Sequence, residues 1–277
     1  MPQIINTNIL SLTAQNNLNS TQNSLATSVE RLSSGLRINS AMDDPAGLAI
    51  SMRMGSQVSG MQVAIRNAND AISLSQVADG TLGTVGNMLQ QMRDLAVQAS
   101  NGTNGSGDLD NLQTEFTSLS TEINRELAQT TFNGIAILGS GAGTSTYQVG
   151  ANAGETISLT TTNIASNASV TAVTNDSTSV AAGGTSASAM ITSIDTALTA
   201  INTQRAKYGA NETEFQNVIT NLQTGVTNES AAQSRIRDAD YAQETSNLTR
   251  AQILQQAGTA MLAQANALPQ TVLNLLK

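Results

Sequence analysis

The sequence predicts a mainly α fold, with long antiparallel helices forming coiled-coil-like bundles from both termini and a small β-hairpin region in the middle. Three observations point there. Apolar residues recur at alternating three- and four-residue steps over long stretches at both ends of the chain. Hydrophobic residues reach 39% but come mostly from Ala, Leu, Ile, Val and Met, while aromatic residues make up only 2%. That is too little aromatic mass to anchor a large globular interior, so thin seams between helices are the expected form of burial. In the middle of the chain the period changes to strand-like alternation around Asn133-Gly134.

The first helix is marked by Ile5, Ile9, Leu12, Leu18, Leu25, Val29, Leu32 and Leu36, a heptad stripe that ends at Ser33-Ser34-Gly35. Asp43 and Asp44 then precede Pro45, the arrangement of a helix cap followed by proline at the first helical position. A cap explains these carboxylates better than a catalytic pair or a cation site. From Pro45 the apolar residues run through Val58, Met61, Ile65, Ala68 and Ile72. After a phase slip they continue through Leu74, Ala78, Thr81, Val85, Met88, Met92, Leu95 and Ala99. A helix over 45–99 would be roughly 80 Å long and needs partners along its whole length. Gly80, Gly83 and Gly86 weaken its middle by up to about 1 kcal/mol each relative to Ala, unless they allow close packing.

The run NGTNGSG, 101–107, breaks the helix, and Asp108 is positioned to cap the next one. Leu112, Phe116, Leu119, Ile123 and Leu127 give an antiparallel return helix. The β region is expected at about 131–162, and 163–188 reads as a low-complexity insert with no apolar period. Periodicity returns at Met190, Ile194, Ala197, Ile201, Gln204, Tyr208, Asn211, Phe215, Val218 and Leu222. The last stripe, Leu254, Met261, Ala265, Leu268, Val272 and Leu275, is interrupted by Pro269. Both terminal segments carry narrow stripes and few charges. They are expected to be poorly ordered alone and to fold on association.

Composition excludes several functions. The chain of 277 residues has no Cys and no His, so zinc sites, haem ligands, thiol nucleophiles and histidine bases are ruled out. Its net charge is −8 with 12 basic residues, a poor match to nucleic acid. Nowhere are there about 18 consecutive apolar residues, so membrane insertion is not expected. The amino terminus lacks the basic and apolar regions of a cleaved secretory signal, so export would need another route. The Gly-rich runs lack the GK[ST] ending of a phosphate loop. Arg235, Arg237, Asp238 and Asp240 read as structural or interface ion pairing, each exposed pair contributing about 0 to 1 kcal/mol. Met52, Met54, Met61, Met88 and Met92 read as packing residues. No cofactor and no enzymatic activity are expected.

Several long words carry a resemblance: INTN (Ile5–Asn8), QNNL (Gln15–Leu18), ERLSSGLRINSA (Glu30–Ala41) with Asp43-Asp44, and RNAND (Arg66–Asp70). At the far end stand DADYA (Asp238–Ala242), RAQILQQAG (Arg250–Gly258) and LAQAN (Leu262–Asn266). In this order they closely resemble bacterial flagellin, here a short form with little or no central surface domain. The resemblance implies an exported, extracellular subunit that self-assembles into the flagellar filament for motility. Its inner coiled-coil domain would comprise arms 1–42 and 237–277, with an outer helical domain over 43–236. The alternative within the same family is a hook-filament junction protein.

The resemblance also implies partners: further copies of the chain, a flagellar export chaperone, cap and junction proteins, and host innate immune receptors. In flagellins sensed by the cell-surface Toll-like receptor the matching run is LQQMRDLAVQ, Leu89–Gln98. Leu95 and Glu115 match the contact positions, whereas Gln91 stands where that pattern has Arg. Loss of the guanidinium would cost on the order of 1 to 3 kcal/mol at a buried contact. The run Val272–Leu276 resembles the apolar end that cytosolic sensors read and a chaperone covers, as well as a seam of the tube.

Overall fold

The computed structural model describes residues 7–175, 179–181 and 184–275, those of 269–275 by backbone alone. The elements, in order, are α1 (Ile9–Ser34), α2 (Pro45–Ala99), α3 (Ser106–Gln129), β1 (Thr131–Phe132), β2 (Ile135–Ala136), β3 (Thr144–Gln148), β4 (Thr156–Thr160), α4 (Ala168–Thr174), α5 (Gly184–Arg237) and α6 (Tyr241–Leu275). This is the mainly helical architecture that the periodicity predicts. The chain divides into a terminal unit, 1–56 with 227–277, and a central unit, 57–226. The divisions fall inside α2 and α5, whereas the sequence reading placed them at the helix breaks near 42 and 237.

The central unit owns the core. One face of α2 buries Ala68, Ala71, Leu74, Ala78, Leu82, Val85, Leu89, Met92 and Ala96. Against it stand Phe116, Ile123 and Leu127 of α3 and Ile194, Ala197, Ile201, Tyr208 and Phe215 of α5, all fully buried. The four-three spacing keeps each set on one helical face, so the long helices shield each other along their length. Arg205 Nε donates to Asp79 Oδ1 at 2.8 Å and Arg93 Nε to Asp195 Oδ1 at 2.7 Å, tying α5 to α2 along the solvent edge.

Gly80 and Gly86 have nothing within 4 Å of where a Cβ would stand, and Gly83 meets only the Arg205 guanidinium at 3.8 Å. They therefore do not serve close packing. Gly105 precedes α3, and Asp108 is its third residue, accepting from the Gly105 N–H at 3.1 Å, rather than the cap itself. Asn133 (φ 49°) and Gly134 (φ 78°) form the left-handed turn of the β1–β2 hairpin. In the second hairpin Tyr147 lies opposite Ile157 and Ser145 opposite Leu159. Leu159 is fully buried, and Tyr147 meets Phe215 edge to face at 5.9 Å.

Two expectations are corrected. Part of 163–188 is ordered against the core: Ile164, Val170, Val173 and Val180 are buried, and α4 is capped by Asn167, which accepts from the Ser169 N–H at 3.0 Å. Asn124 of α3 donates to the Thr174 carbonyl at 2.9 Å. A few β-branched residues suffice to dock the segment although Ala, Ser and Thr dominate its composition. Pro269 does not interrupt α6, which continues to Leu275.

Candidate assembly surface

In the terminal unit α1 and α6 run antiparallel. Asn8, the N-cap of α1, accepts from the Ser11 N–H at 3.1 Å and donates its amide to the Ala265 carbonyl at 2.7 Å. Ser11 Oγ donates to Asn266 Oδ1 at 2.8 Å. Leu18 Cδ1 lies 3.2 Å from where a Cβ on Gly258 would stand. At the other end Arg31 faces Glu244 at 4.0 Å, and the Glu244 side chain is nearly buried.

The base of the pair is a short backbone clasp. Gly35 ends α1 in the left-handed conformation, with φ 71° and its N–H on the Arg31 carbonyl. Leu36 bridges Asp238 in antiparallel fashion. The Arg37 N–H donates to the Arg237 carbonyl at 2.7 Å, and the Ala239 N–H to the Gly35 carbonyl at 2.9 Å. Arg37 Nη2 donates to the Ile236 carbonyl at 2.5 Å.

The two predicted cap carboxylates separate in role. Asp44 Oδ1 accepts from the Gly47 N–H at 2.8 Å and so caps α2. Asp43 turns back: its Oδ2 accepts from the N–H groups of Asn39 and Ser40 and from Ser40 Oγ, closing the loop before the helix. The bonds from Ser40 hold the Asp43 carboxyl below its usual range. Within the chain, the cluster read as structural or interface ion pairing is organised by local hydrogen bonds. Asp238 accepts from Ser234 Oγ at 2.6 Å, and Asp240 accepts from the N–H groups of Ala242 and Gln243 at the start of α6. Among the described residues no ion pair joins Asp238 or Asp240 to Arg235 or Arg237.

The apolar stripe of α1 divides between two faces. Leu18, Leu25, Leu32 and Leu36 are half-buried, whereas Ile9, Leu12 and Val29 are exposed. On α6, Ala265 is buried, and Leu254, Met261 and Leu268 are exposed. Ile9 and Met261 keep 62% and 63% of their surface in solvent. Leu10 and Ile253, outside the stripe the sequence reading selected, are exposed as well. The signal that would have found them is their adjacency to Ile9 and Leu254. Ile5 lies outside the described residues, as do the side chains of Val272 and Leu275. Among the described residues of the terminal unit the buried hydrophobic side chains are Ile38, Ala251 and Ala265, and they are joined by Ser11, Ser28, Ser51 and Glu244. This interior is small and polar.

The receptor-like patch is in the central unit. Gln91 and Glu115 are exposed, but Leu95 is only 9% exposed and belongs to the core, so its apolar surface is not offered outward. Among the described residues no helix is long and apolar enough to cross a membrane, and no group of acidic side chains is placed to hold a metal ion.

Residues 5–146 match the bacterial flagellin N-terminal helical region and residues 191–276 the bacterial flagellin C-terminal helical region. The chain belongs to the bacterial flagellin family. It is 42% identical to a flagellin of Serratia marcescens across the full length of both chains. It is 44% identical to a flagellin of Halalkalibacterium halodurans, over 99% of this chain and 100% of that one. The crystal structure of Bacillus cereus flagellin superposes with a TM-score of 0.51 at 33% identity, covering 61% of this chain and 94% of that one. This flagellin is a structural protein, a homopolymerising subunit of the extracellular flagellar filament, and not an enzyme.

Proposed function

We propose that the arms, 1–42 and 237–277, are the assembly elements of this flagellin and that they complete their folding only when neighbouring copies cover them, the outer domain being 43–236. One observation carries this reading: the terminal unit leaves Ile9, Leu12, Val29, Leu254, Met261 and Leu268 exposed while burying almost no apolar side chain of its own. Covering a Leu, Ile or Met side chain is worth about 1.5 to 3 kcal/mol. The helices gain from neighbours what their narrow mutual seam does not supply. A chain exported partly unfolded would then fold its arms at the growing tip.

The exposed apolar side chains of the arms are open before assembly, which suits an export chaperone, and the run Val272–Leu276, whose side chains lie outside the described ones, resembles the end that a cytosolic sensor reads. Cap or junction proteins would meet the arms at the filament ends. For a host cell-surface receptor the exposed groups are Gln91 and Glu115, with Leu95 withheld; activation is therefore expected to be weak, and reporter cells exposed to purified monomer test this.

The decisive experiment is truncation. Deleting 1–36 or 250–277 is expected to leave a soluble, folded central unit that does not polymerise when seeded with sheared filament. Filaments from either truncation would overturn the proposal, as would a full-length chain whose helix content by circular dichroism does not rise on polymerisation.

A further inference from the structure

Asparagine stands directly before glycine at three places, Asn101-Gly102, Asn104-Gly105 and Asn133-Gly134. Such a step loses its side-chain amide without a catalyst, because a glycine has no Cβ to keep its backbone nitrogen from the side-chain carbon of the asparagine. The sequence makes the three steps chemically alike. The structure gives each a different setting.

Asn101 stands in the connection between α2 and α3, where Asn101, Gly102 and Thr103 are all exposed. Its Oδ1 accepts from the Thr103 N–H, two residues on, at 3.4 Å. That bond folds the side chain forward over the Gly102 peptide and draws electron density from the side-chain carbonyl carbon. Among the described residues no acceptor holds the Gly102 N–H or the Asn101 Nδ2 group. The attacking nitrogen, the carbon it attacks and the leaving amide are therefore together and untied.

Asn104 is half-buried and tied at both ends of the same reaction. Its Nδ2 donates to the Gln98 carbonyl at 2.7 Å, which turns the side chain back towards α2. The Gly105 nitrogen that would attack it donates to Asp108 Oδ2 at 3.1 Å, and a carboxylate on that N–H opposes removal of its proton. Asn133 is exposed, but it sits at φ 49° ahead of Gly134 at φ 78°, in the two-residue loop between the paired residues Phe132 and Ile135. Closing a ring through the Asn133 Cα–C bond turns that bond out of the left-handed geometry and opens the pairing.

We infer that Asn101 is a site of spontaneous deamidation in the folded monomer, and that the fold holds Asn104 and Asn133 back. The Gly102 nitrogen, after giving its proton to hydroxide, bonds to Asn101 Cγ. The Cγ–Nδ2 bond breaks, and the amide nitrogen takes a proton from water and leaves as ammonia. Water then opens the cyclic imide at one of its two carbonyl carbons. One opening restores the ordinary backbone as aspartate; the other leads the backbone through the former side chain as isoaspartate. Either product adds a negative charge to a chain of net charge −8, just past the end of α2, where the helix dipole is also negative. The isoaspartate also lengthens a connection held by the Asn101 N–H on the Gln98 carbonyl at 3.1 Å and the Asn104 N–H on the Asn101 carbonyl at 3.2 Å.

Ageing the full-length monomer at mildly alkaline pH tests this, with peptide mapping by mass spectrometry at intervals and fragment ions separating Asn101 from Asn104. Asn101 is expected to convert at least about fivefold faster than Asn104 or Asn133 in the folded chain. In denaturant the three are expected to react within about threefold of one another, since the fold no longer distinguishes them. A Cβ at Gly102 meets nothing within 4 Å and no positive φ is required there, so Gly102→Ala folds normally. It is expected to slow conversion of Asn101 at least about tenfold and to leave the other two unchanged. Asp108→Ala is expected to speed Asn104 and not Asn101. Equal rates in the folded monomer, or Asn104 or Asn133 reacting first, would overturn the inference. So would an Asn101 that reacts more than about tenfold slower folded than in denaturant. An Asp108→Ala chain whose Asn104 is no faster would overturn the protection assigned to the Gly105 N–H.

Discussion

Tyr241, at the first turn of α6, closes over Gly35, at the end of α1: a Cβ on the glycine would stand 3.3 Å from the phenol oxygen, which itself donates to the Leu32 carbonyl at 3.3 Å. The glycine sits at φ 71°, a conformation that costs a residue with a side chain about 1 kcal/mol or more. Gly35→Ala therefore meets both backbone strain and a crowded ring. It is expected to loosen the α1–α6 clasp while leaving the melting of the central unit unchanged. Hydrogen exchange at Arg37 and Ala239, whose N–H groups donate across the clasp, measures this directly, and faster exchange at both sites is the expected result.

The three glycines in the middle of α2 lead to the opposite expectation. Gly80 and Gly86 have open space at the Cβ position and lie inside a helix with ordinary negative φ. Ala at either should stabilise the central unit by about 0.5 to 1 kcal/mol, and the two substitutions should add because they occupy separate turns. Differential scanning calorimetry of the monomer checks this, with a rise of roughly 2 to 4 °C per kcal/mol for a unit of this size. A melting point that does not rise would mean that the space at the Gly80 and Gly86 Cβ positions is not open in the folded monomer.

Glu212 offers a pH test with a defined sign. Burial, followed by the nearby Asp79 carboxylate, raises its carboxyl above the usual 4.5. A carboxyl raised on folding weighs against the folded state above its folded pKa, and this penalty disappears as pH falls below the unfolded value of 4.5. Glu212→Gln is therefore expected to raise the melting temperature at pH 7 and to lose that advantage near pH 4. Asp43 has the other sign: its carboxyl is lowered by Ser40, so its contribution is complete above 3.8 and is lost as pH falls through the still lower folded value. Asp43→Asn should matter at neutral pH and not in strong acid.

Much of this was legible in the sequence because heptad spacing encodes burial directly. Met190, Ile194, Ala197, Ile201, Gln204, Tyr208 and Phe215 were selected by spacing alone, and each is buried on one face of α5. Spacing does not say which helix a stripe meets. Ile9 and Leu18 read as one sequence stripe, yet Leu18 turns to α6 and Ile9 to solvent, because nine residues at about 100° each place them on opposite sides of α1. Composition misled at 163–188, where Val170 and Val173 dock a segment dominated by small polar residues. It was equally silent on Asp43 and Asp44, which differ by one position and hold different turns. Leu95 carried two readings, a receptor-contact position by family pattern and a stripe residue of α2 by spacing, and it lies in the core beside Met92 and Ala99.

The contrast between the two units yields the last expectation. Phe215 is fully buried and meets Tyr147 edge to face, so its ring joins α5 to the second hairpin. Phe215→Ala should cost about 3 to 5 kcal/mol of central-unit stability through lost burial and the cavity left behind. Ile9→Ala and Met261→Ala remove side chains that are already mostly in solvent, so monomer stability should change by no more than about 0.5 kcal/mol. Their effect should appear in polymerisation, where covering each side chain would have contributed about 1.5 to 3 kcal/mol, or roughly ten- to a hundredfold in critical concentration per residue. Chemical denaturation and seeded assembly run on the same three variants separate the outcomes. If Ile9→Ala and Met261→Ala assemble normally, the exposed rows are not the filament contacts, however apolar they are.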